Sequence, residues 1–215
     1  MFKLIFILLF ISPLVFGQTK APKVDVSRKA KRNYTKECKG GDFVACCKVG
    51  DIKKAKKDLD GAKTFYLKAC NGGFAKGCFN LGSIENKKGD FEKASLYFSL
   101  ACHENHSQGC KELGLIEQKK GNIAAAKDHF TQACNGDLIS VCWYLGDLIE
   151  KEGNIDQATA WYTKACDGGE YLGCTSMSSV ERLRGNPAES VKWMRKACEK
   201  GHRSSCEMFK QLEKK

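Results

Sequence analysis

Apolar side chains recur at three- and four-residue spacing along most of the chain, which is the period of an amphipathic helix. Residues 70–101 show the pattern most clearly, in two halves. Their apolar positions are Phe74, Cys78, Leu81, Gly82 and Ile84, then Phe91, Ala94, Tyr97, Phe98 and Ala101. The first half predicts one helix, here called helix A, and the second half predicts another, here called helix B. Between them, Gly89 predicts a helix stop and Asp90 an N-cap, so the two helices form an antiparallel hairpin.

This hairpin repeats every 32 residues. The glycine and N-cap pair returns as Gly121-Asn122, Gly153-Asn154 and Gly185-Asn186, with Lys57 replacing the glycine in the first unit. Self-similarity at a fixed period of this size predicts an all-α solenoid, with a degenerate unit as its cap. The repeats are placed at 38–69, 70–101, 102–133, 134–165 and 166–197, with a partial unit at 198–215.

Small and aromatic residues keep fixed places in the unit. One helix A position holds Gly50, Gly82, Gly114, Gly146 and Ser178, and one helix B position holds Ala62, Ala94, Ala126, Ala158 and Ser190. Glycine inside a helix costs about 1 kcal/mol relative to alanine, so its repetition indicates close packing, which we predict to be against the helix B alanine. The predicted aromatic core is Phe65, Tyr66, Tyr97, Phe98, Phe130, Trp161, Tyr162 and Trp193.

Twelve of the thirteen cysteines form a lattice of pairs eight residues apart. The predicted disulfides join Cys38 with Cys46, Cys70 with Cys78, Cys102 with Cys110, Cys134 with Cys142, Cys166 with Cys174, and Cys198 with Cys206. Eight residues of continuous helix span about 12 Å, too far for a disulfide, so the chain must turn between the two cysteines of a pair. Each pair then links the end of helix B to helix A of the next unit, and six such bridges require an oxidising compartment.

The cysteine spacing argues against two other roles. Structural zinc sites use C-x(2–4)-C and thioredoxin-like sites use C-x-x-C, whereas these pairs are C-x(7)-C. We predict neither a metal nor a cofactor. Cys47 has no partner in the lattice, and three alternatives stay open: an inert buried thiol, exchange with Cys46, or a bridge to a second chain.

The amino terminus predicts export. An apolar run from Leu4 to Phe16 follows Lys3 and precedes Gly17, so residues 1–17 resemble a cleavable signal peptide. The predicted location is therefore secreted or periplasmic. Residues 18–37 hold seven basic and two acidic residues, within a chain of formal charge +11, and predict a basic flexible arm or the lead-in to a first helix. No motif for nucleic-acid binding is present.

The repeats resemble those of a known family. Leu81-Gly82, Ala94, Phe98 and Ala101 fall at the tetratricopeptide offsets, and Lys68-Ala69-Cys70 is one of several K-A-C unit endings. Together with the C-x(7)-C lattice, these features resemble the Sel1-like repeats of the Helicobacter cysteine-rich protein family. The resemblance implies a right-handed α/α solenoid. It also implies either slow β-lactam hydrolysis by a penicillin-binding protein or an encounter with host molecules.

Known catalytic machinery for β-lactam hydrolysis is absent from the sequence. No serine has a lysine three positions later, as serine β-lactamases need. The four histidines are spread over different units, although His103 and His106 share an H-x-x-H spacing that we interpret as a surface pair. Hydrolysis therefore rests on the resemblance alone.

Binding is the function that the sequence favours, because helical-hairpin solenoids present a concave groove lined by helix A. In the resembled fold, the ninth position after each first cysteine points into this groove. The predicted binding residues there and nearby are Lys76, Phe79, Lys111, Trp143 and Asp147. Phe79 and Trp143 are not needed by the predicted core. The expected ligand is a peptide, a protein or a cell-wall fragment; a β-lactam and a purely structural spacer role are the alternatives.

Overall fold

The computed structural model describes residues 28–212, and the predicted signal peptide and residues 18–27 lie outside this range. Within it, the chain is all α-helical. The helices are α1 (Arg28–Lys39), α2 (Phe43–Ala55), α3 (Leu59–Asn71), α4 (Ala75–Lys88), α5 (Phe91–His103), α6 (Ser107–Lys120), α7 (Ile123–Asn135), α8 (Cys142–Lys151), α9 (Ile155–Asp167), α10 (Tyr171–Leu183), α11 (Pro187–Glu199) and α12 (Arg203–Leu212). None of these helices has the length and apolarity needed to cross a membrane.

The helices form the predicted solenoid. Five hairpins run from α2–α3 to α10–α11, with α2, α4, α6, α8 and α10 as helix A and the following helix as helix B in each. Contacts join each helix to its neighbours in sequence, so each unit packs mainly on the units before and after it.

Residues 28–37 form the start of a first helix, which is the second of the two possibilities that the sequence left open for this segment. These residues belong to α1, which runs to Lys39. Two contacts hold α1 on the solenoid: Tyr34 packs against the buried cluster of the first units, and Cys38 is bonded to Cys46 on α2. Helix α1 therefore takes the place of a helix B ahead of the first complete hairpin.

The glycine stops within the hairpins follow the prediction, but the N-caps do so only in part, because Asn122, Asn154 and Asn186 make no side-chain capping hydrogen bond. Gly89 and Gly121 end α4 and α6 in the left-handed region, with φ of 82° and 84°. Asp90 then caps α5 by accepting a hydrogen bond from the Lys93 N–H at 3.1 Å. In the first unit, Lys57 adopts the same left-handed conformation with φ of 64°, although it carries a Cβ atom. This conformation is unfavourable for an L-residue other than glycine.

Replacement of Lys57 by glycine is therefore expected to stabilise the fold by about 1 kcal/mol, because it removes this strain. The measurement is the urea midpoint of the oxidised protein. The reverse change in the next unit, Gly89→Lys, serves as the matched variant and is expected to destabilise by a similar amount. A destabilised Lys57→Gly protein would contradict the strain argument.

Close packing between helix A and helix B rests on an aromatic ring rather than on the predicted alanine. A Cβ atom on Gly82 would lie 2.6 Å from the Phe98 ring, and one on Gly114 would lie 2.6 Å from the Phe130 ring. The predicted alanines are buried as well, but the ring four residues later is what fills the space above each glycine. The fully buried rings are Tyr66, Phe98, Phe130 and Tyr162.

All six predicted disulfides are present, and each joins a cysteine near the end of one helix to a cysteine in the next helix. Their Cα–Cα distances are 4.5 to 5.1 Å. The bonded partners are Cys38 with Cys46, Cys70 with Cys78, Cys102 with Cys110, Cys134 with Cys142, Cys166 with Cys174, and Cys198 with Cys206. The bridges therefore lie at the junctions between units, and within the described residues none joins the two helices of one hairpin.

The fourth unit departs from the regular pattern. Its helix A is preceded by a 3₁₀ turn at Ile139–Val141, and α8 begins only at Cys142. The units on either side have Gly109 or Gly173 where this unit has Val141, and a Cβ atom at Gly109 would lie 2.8 Å from the Ala101 methyl. The bulk of Val141 keeps α8 further from α7. The Cα distance between Cys134 and Cys142, 5.1 Å, is accordingly the longest of the six.

Candidate binding face on the first helices

The five predicted binding residues lie on three consecutive A helices. Lys76 and Phe79 are on α4, Lys111 is on α6, and Trp143 and Asp147 are on α8. Side chains link these helices across the units: Asn80 on α4 reaches Cys47 on α2, and Trp143 on α8 reaches Ser176 on α10. We call this surface the helix-A face.

The first part of the helix-A face is a polar network around Asp51. The Asp51 carboxylate accepts hydrogen bonds from the Tyr66 hydroxyl at 2.8 Å and from Asn80 Nδ2 at 3.3 Å. Lys76 Nζ lies 3.8 Å from the same carboxylate, and both side chains are about half exposed. An ion pair of this exposure contributes at most about 1 kcal/mol, which leaves the Lys76 ammonium available to an external anion. Burial, followed by the hydrogen bond to Asp51, raises the pKa of Tyr66, so its hydroxyl stays protonated.

Cys47 lies beneath this network. It is the free cysteine of the described residues and is 2% exposed, and Asn80 Nδ2 donates to its sulfur at 3.6 Å. Burial, helped by the nearby Asp51 carboxylate, raises the pKa of the Cys47 thiol to about 11. Since the thiolate is the reactive form, both burial and pKa oppose a bridge to a second chain and favour the inert alternative.

Phe79 packs partly into the structure, which corrects the expectation that it is free of the core. Its ring stacks on His106 at a centroid distance of 4.7 Å and lies 5.8 Å from the Phe98 ring. His106 caps α6, because its Nδ1 accepts a hydrogen bond from the Gly109 N–H at 3.1 Å. His106 of the H-x-x-H pair thus has a structural role at the start of α6. Only the part of the Phe79 ring that remains exposed is available to a ligand.

Acid is expected to destabilise the protein through His106. Burial lowers the pKa of His106 below its ordinary value of 6.5, so the unfolded chain takes up the proton at a higher pH than the folded chain. The contribution of neutral His106 to the free energy of unfolding is then complete above about pH 6.5, and it is lost as the pH drops through the pKa of His106 in the folded protein. The measurement is the urea midpoint between about pH 7 and about pH 5.

The His106→Asn variant provides the control, because asparagine caps a helix without titrating. Its midpoint should fall less on acidification than that of the parent protein. Burial also lowers the pKa of His129, so a smaller decline should remain in the variant. Identical pH profiles for the two proteins would contradict the role given to His106.

The second part of the face is built around Trp143. The indole Nε1–H donates to Ser176 Oγ at 3.0 Å, and the ring meets Tyr144 edge-on at a centroid distance of 5.2 Å. Lys111 Nζ lies 6.0 Å from the centre of the Tyr144 ring and 3.9 Å from a Glu112 carboxylate oxygen. Trp143 is half-buried against the core, although the predicted aromatic core did not include it.

Asp147 completes the predicted set on the next turn of α8. Its carboxylate pairs with Lys151 Nζ at 2.7 Å, four residues on. The neighbouring Glu150 accepts a hydrogen bond from the Tyr162 hydroxyl. The fourth unit therefore presents carboxylates on its helix A, whereas the second and third units present Lys76 and Lys111 on theirs.

Sequence reasoning missed the residues at the tenth position after each first cysteine. Asn80, Tyr144 and Ser176 occupy this position in three units. Each reaches the ninth-position residue of the preceding unit, which is Cys47, Lys111 or Trp143 respectively. The signal was present in the 32-residue register, because the tenth position lies next to the one chosen for the groove.

Among the described residues, no cluster of three or more His, Cys, Asp or Glu side chains is arranged to hold a metal ion. The helix-A face instead combines two partly exposed aromatic rings with separate ammonium and carboxylate groups. Such a surface is suited to non-covalent recognition.

Comparison with known proteins agrees with the fold. The Sel1 repeat family matches residues 110–138, 140–170 and 175–202, and the tetratricopeptide repeat family matches residues 44–71 and 75–102. Residues 44–202 are therefore built largely from tetratricopeptide and Sel1 repeats. No curated protein matches the chain significantly.

Solved structures of similar fold are distant in sequence. A Sel1 repeat protein from Oxalobacter formigenes has 19% identity and a TM-score of 0.70, over 84% of this chain and 85% of that one. A protective antigen of uropathogenic Escherichia coli has 19% identity and a TM-score of 0.69, over 86% of this chain but only 44% of its own length. YrrB, described as a TPR protein with an unusual peptide-binding site, has 16% identity and a TM-score of 0.58, over 84% of this chain and all of that one. These similarities establish the fold.

Proposed function

We propose that this Sel1/tetratricopeptide repeat protein works outside the cytoplasm and binds an extended peptide or protein segment along its helix-A face. One observation supports the proposal: Phe79, Trp143, Lys76, Lys111 and Asp147 belong to three consecutive A helices, α4, α6 and α8. Partly exposed aromatic rings are preferred anchors for partners, and the charged groups set direction and register. The peptide-binding site described for YrrB supports the choice of ligand class.

Export and family membership are part of the same proposal. Six disulfides at the unit junctions are compatible with an oxidising compartment, and the apolar run of residues 4–16 supports the signal peptide. The C-x(7)-C lattice supports placement with the Helicobacter cysteine-rich proteins. A cell-wall fragment carrying a short peptide is a further ligand that the same face would suit.

Selection from a displayed library of random peptides tests the binding face. Peptides selected on the oxidised protein should lose at least about tenfold in affinity for the Trp143→Ala variant, since a central aromatic anchor contributes roughly 2 kcal/mol or more. Trp193→Ala is the matched control, because Trp193 lies on α11, a helix B, away from the helix-A face.

Because Trp143 also packs on the core, Lys111→Gln and Asp147→Asn provide a second test with little risk to folding. These variants should change the charge preference of the selected peptides while the fold is retained. Peptides that bind all the variants equally would exclude the helix-A face as the site.

β-Lactam hydrolysis stays a prediction from the resemblance, and no observation in the described residues favours it. Incubation of a chromogenic β-lactam with the oxidised protein tests this prediction. Turnover no faster than with the heat-denatured protein would exclude β-lactam hydrolysis.

A further inference from the structure

Lysines gather at one edge of the solenoid, where the A-to-B turns of the first three hairpins lie. We call this the turn edge; its lysines are Lys54, Lys56, Lys57, Lys87, Lys88 and Lys119. Neighbouring lysines are paired, as with Lys53 and Asp58 at 2.9 Å and Lys63 and Glu85 at 2.5 Å. In contrast, Lys54, Lys56, Lys57 and Lys87 form no ion pair with any carboxylate between residues 28 and 212. Their ammonium groups are thus available to an external anion.

Lys57 occupies a turn of this edge in a backbone conformation that is unfavourable for lysine. The equivalent residues are Gly89, Gly121, Gly153 and Gly185, all with positive φ and with open space where a Cβ atom would be. A glycine therefore fits the turn without strain, whereas Lys57 takes φ of 64° and gains no described partner for its ammonium group. Strain of this kind without a compensating internal contact points to a role outside the fold.

Apolar groups are interleaved with these lysines. Leu59 and Phe91 begin helix B in the first and second hairpins and are 43% and 49% exposed. A cavity of about 210 Å³ opens between α2 and α4, with Leu59 and Ile84 as its apolar walls and the lysines Lys54, Lys87 and Lys88 around it. The Lys119 Nζ lies 6.0 Å from the centre of the Phe91 ring. The turn edge is thus both cationic and apolar.

The run of unpaired lysines ends after the third hairpin. The position of Lys56 is taken by Glu152 and Arg184 in the fourth and fifth units, and both are paired, with Lys127 and Asp156 respectively. Ile123 of the third unit and Ile155 of the fourth take the position of Leu59 and Phe91 and are partly buried. A cavity and an exposed apolar residue recur at this edge between the fourth and fifth units, beside Ile155 and Leu183. The unpaired lysines are therefore what distinguishes the first three hairpins.

We propose that the turn edge of the first three hairpins docks onto an anionic phospholipid bilayer. Each lysine close to an anionic lipid surface contributes about 1 kcal/mol, and exposed leucine and phenylalanine side chains enter the boundary between headgroups and acyl chains. The cavity beside Leu59 would receive apolar lipid atoms while the lysines around it contact the phosphates. In this arrangement the described helices lie on the membrane surface and do not span it.

An acidic peptide fits the turn edge less well than a bilayer. The backbone N–H groups of the turns are already used within the chain, as in Asp58 to Lys53 at 3.0 Å and Asp90 to Glu85 at 3.1 Å. A peptide would find few main-chain partners there. A bilayer needs no main-chain partners, because its phosphates contact the lysines of the turns and its acyl-chain region accepts their apolar side chains.

Co-sedimentation with vesicles tests the proposal. The oxidised protein comprising residues 18–215 is used, so that the apolar run of residues 4–16 cannot insert by itself. Vesicles of phosphatidylcholine alone are compared with vesicles containing phosphatidylglycerol. Binding should require phosphatidylglycerol and weaken with added salt. The fourfold variant that combines Lys54→Gln, Lys56→Gln, Lys57→Gly and Lys87→Gln should bind about a thousandfold more weakly, given the contribution of each lysine.

Two controls separate the bilayer from other polyanions. A variant with Lys151, Lys192, Lys200 and Lys210 changed to glutamine loses the same four charges elsewhere and should keep nearly full binding. The double variant Leu59→Ser with Phe91→Ser should bind the vesicles about tenfold more weakly while its affinity for soluble polyglutamate is unchanged. Equal weakening by both lysine variants, or vesicle binding indifferent to the Leu59 and Phe91 changes, would overturn the proposal in favour of general attraction to polyanions. Circular dichroism confirms that each variant is folded.

Discussion

Reduction of the six disulfides is expected to unfold the protein or to leave it only marginally stable. Each bridge closes a loop of nine residues, which by chain entropy corresponds to about 2.5 kcal/mol. Six such loops approach about 15 kcal/mol if their effects add, which equals the upper end of the stability of ordinary domains. Urea unfolding followed by circular dichroism, with and without reductant, measures the effect.

Removal of a single disulfide measures how much one loop contributes to the free energy of unfolding. The double variant Cys102→Ser with Cys110→Ser should lose about 2.5 kcal/mol, since Cys102 and Cys110 close a loop of the same length in the middle of the solenoid. Cys47→Ser is the matched control, because Cys47 is buried and free and its replacement opens no loop. A reduced protein with an unchanged urea midpoint would show that packing alone stabilises the solenoid.

Gly114→Val is the substitution expected to damage the packing most. A Cβ atom at Gly114 would lie 2.6 Å from Cε1 of Phe130, whose ring is fully buried, so valine forces the two helices apart. Overpacking of this kind costs about 3 kcal/mol, which exceeds the gain of a few tenths from replacing glycine in a helix. Thermal and urea unfolding of the oxidised variant provide the measurement.

Gln118→Val, on the same helix, is the control, because its side chain is partly exposed. Its effect should stay within about 0.5 kcal/mol. Adding Phe130→Ala to the Gly114→Val background should cost less than Phe130→Ala alone, since the two changes share one space. Strictly additive effects would show that Gly114 does not pack on Phe130.

The helices, the turns and the disulfides were predictable because each depends on local spacing. Gly89 and Asp90 mark a turn through their own backbone preferences, and two cysteines eight residues apart can bond only across a reversal of the chain. The same rule covers the pairs at the end of the solenoid, where Cys174 bonds to Cys166 and Cys206 bonds to Cys198. These rules need no knowledge of the neighbouring unit.

Features that depend on how units rotate against each other were harder to predict. The register placed Gly114 near helix B but did not distinguish Ala126 from Phe130, and the ring proved to be the contact. The partial burial of Trp143 and its bond to Ser176 also depend on the angle between α8 and α10. The 3₁₀ turn of the fourth unit follows from Val141, whose bulk acts only through the adjoining helix.

The location of the disulfides determines how the protein responds to proteases. A cut inside one of the nine-residue loops leaves both fragments joined by sulfur, so the molecule keeps its mass until it is reduced. A cut at an A-to-B turn, such as the one at Gly121, meets no such bond and separates the chain. Resistance to digestion would therefore depend on how tightly those turns are capped.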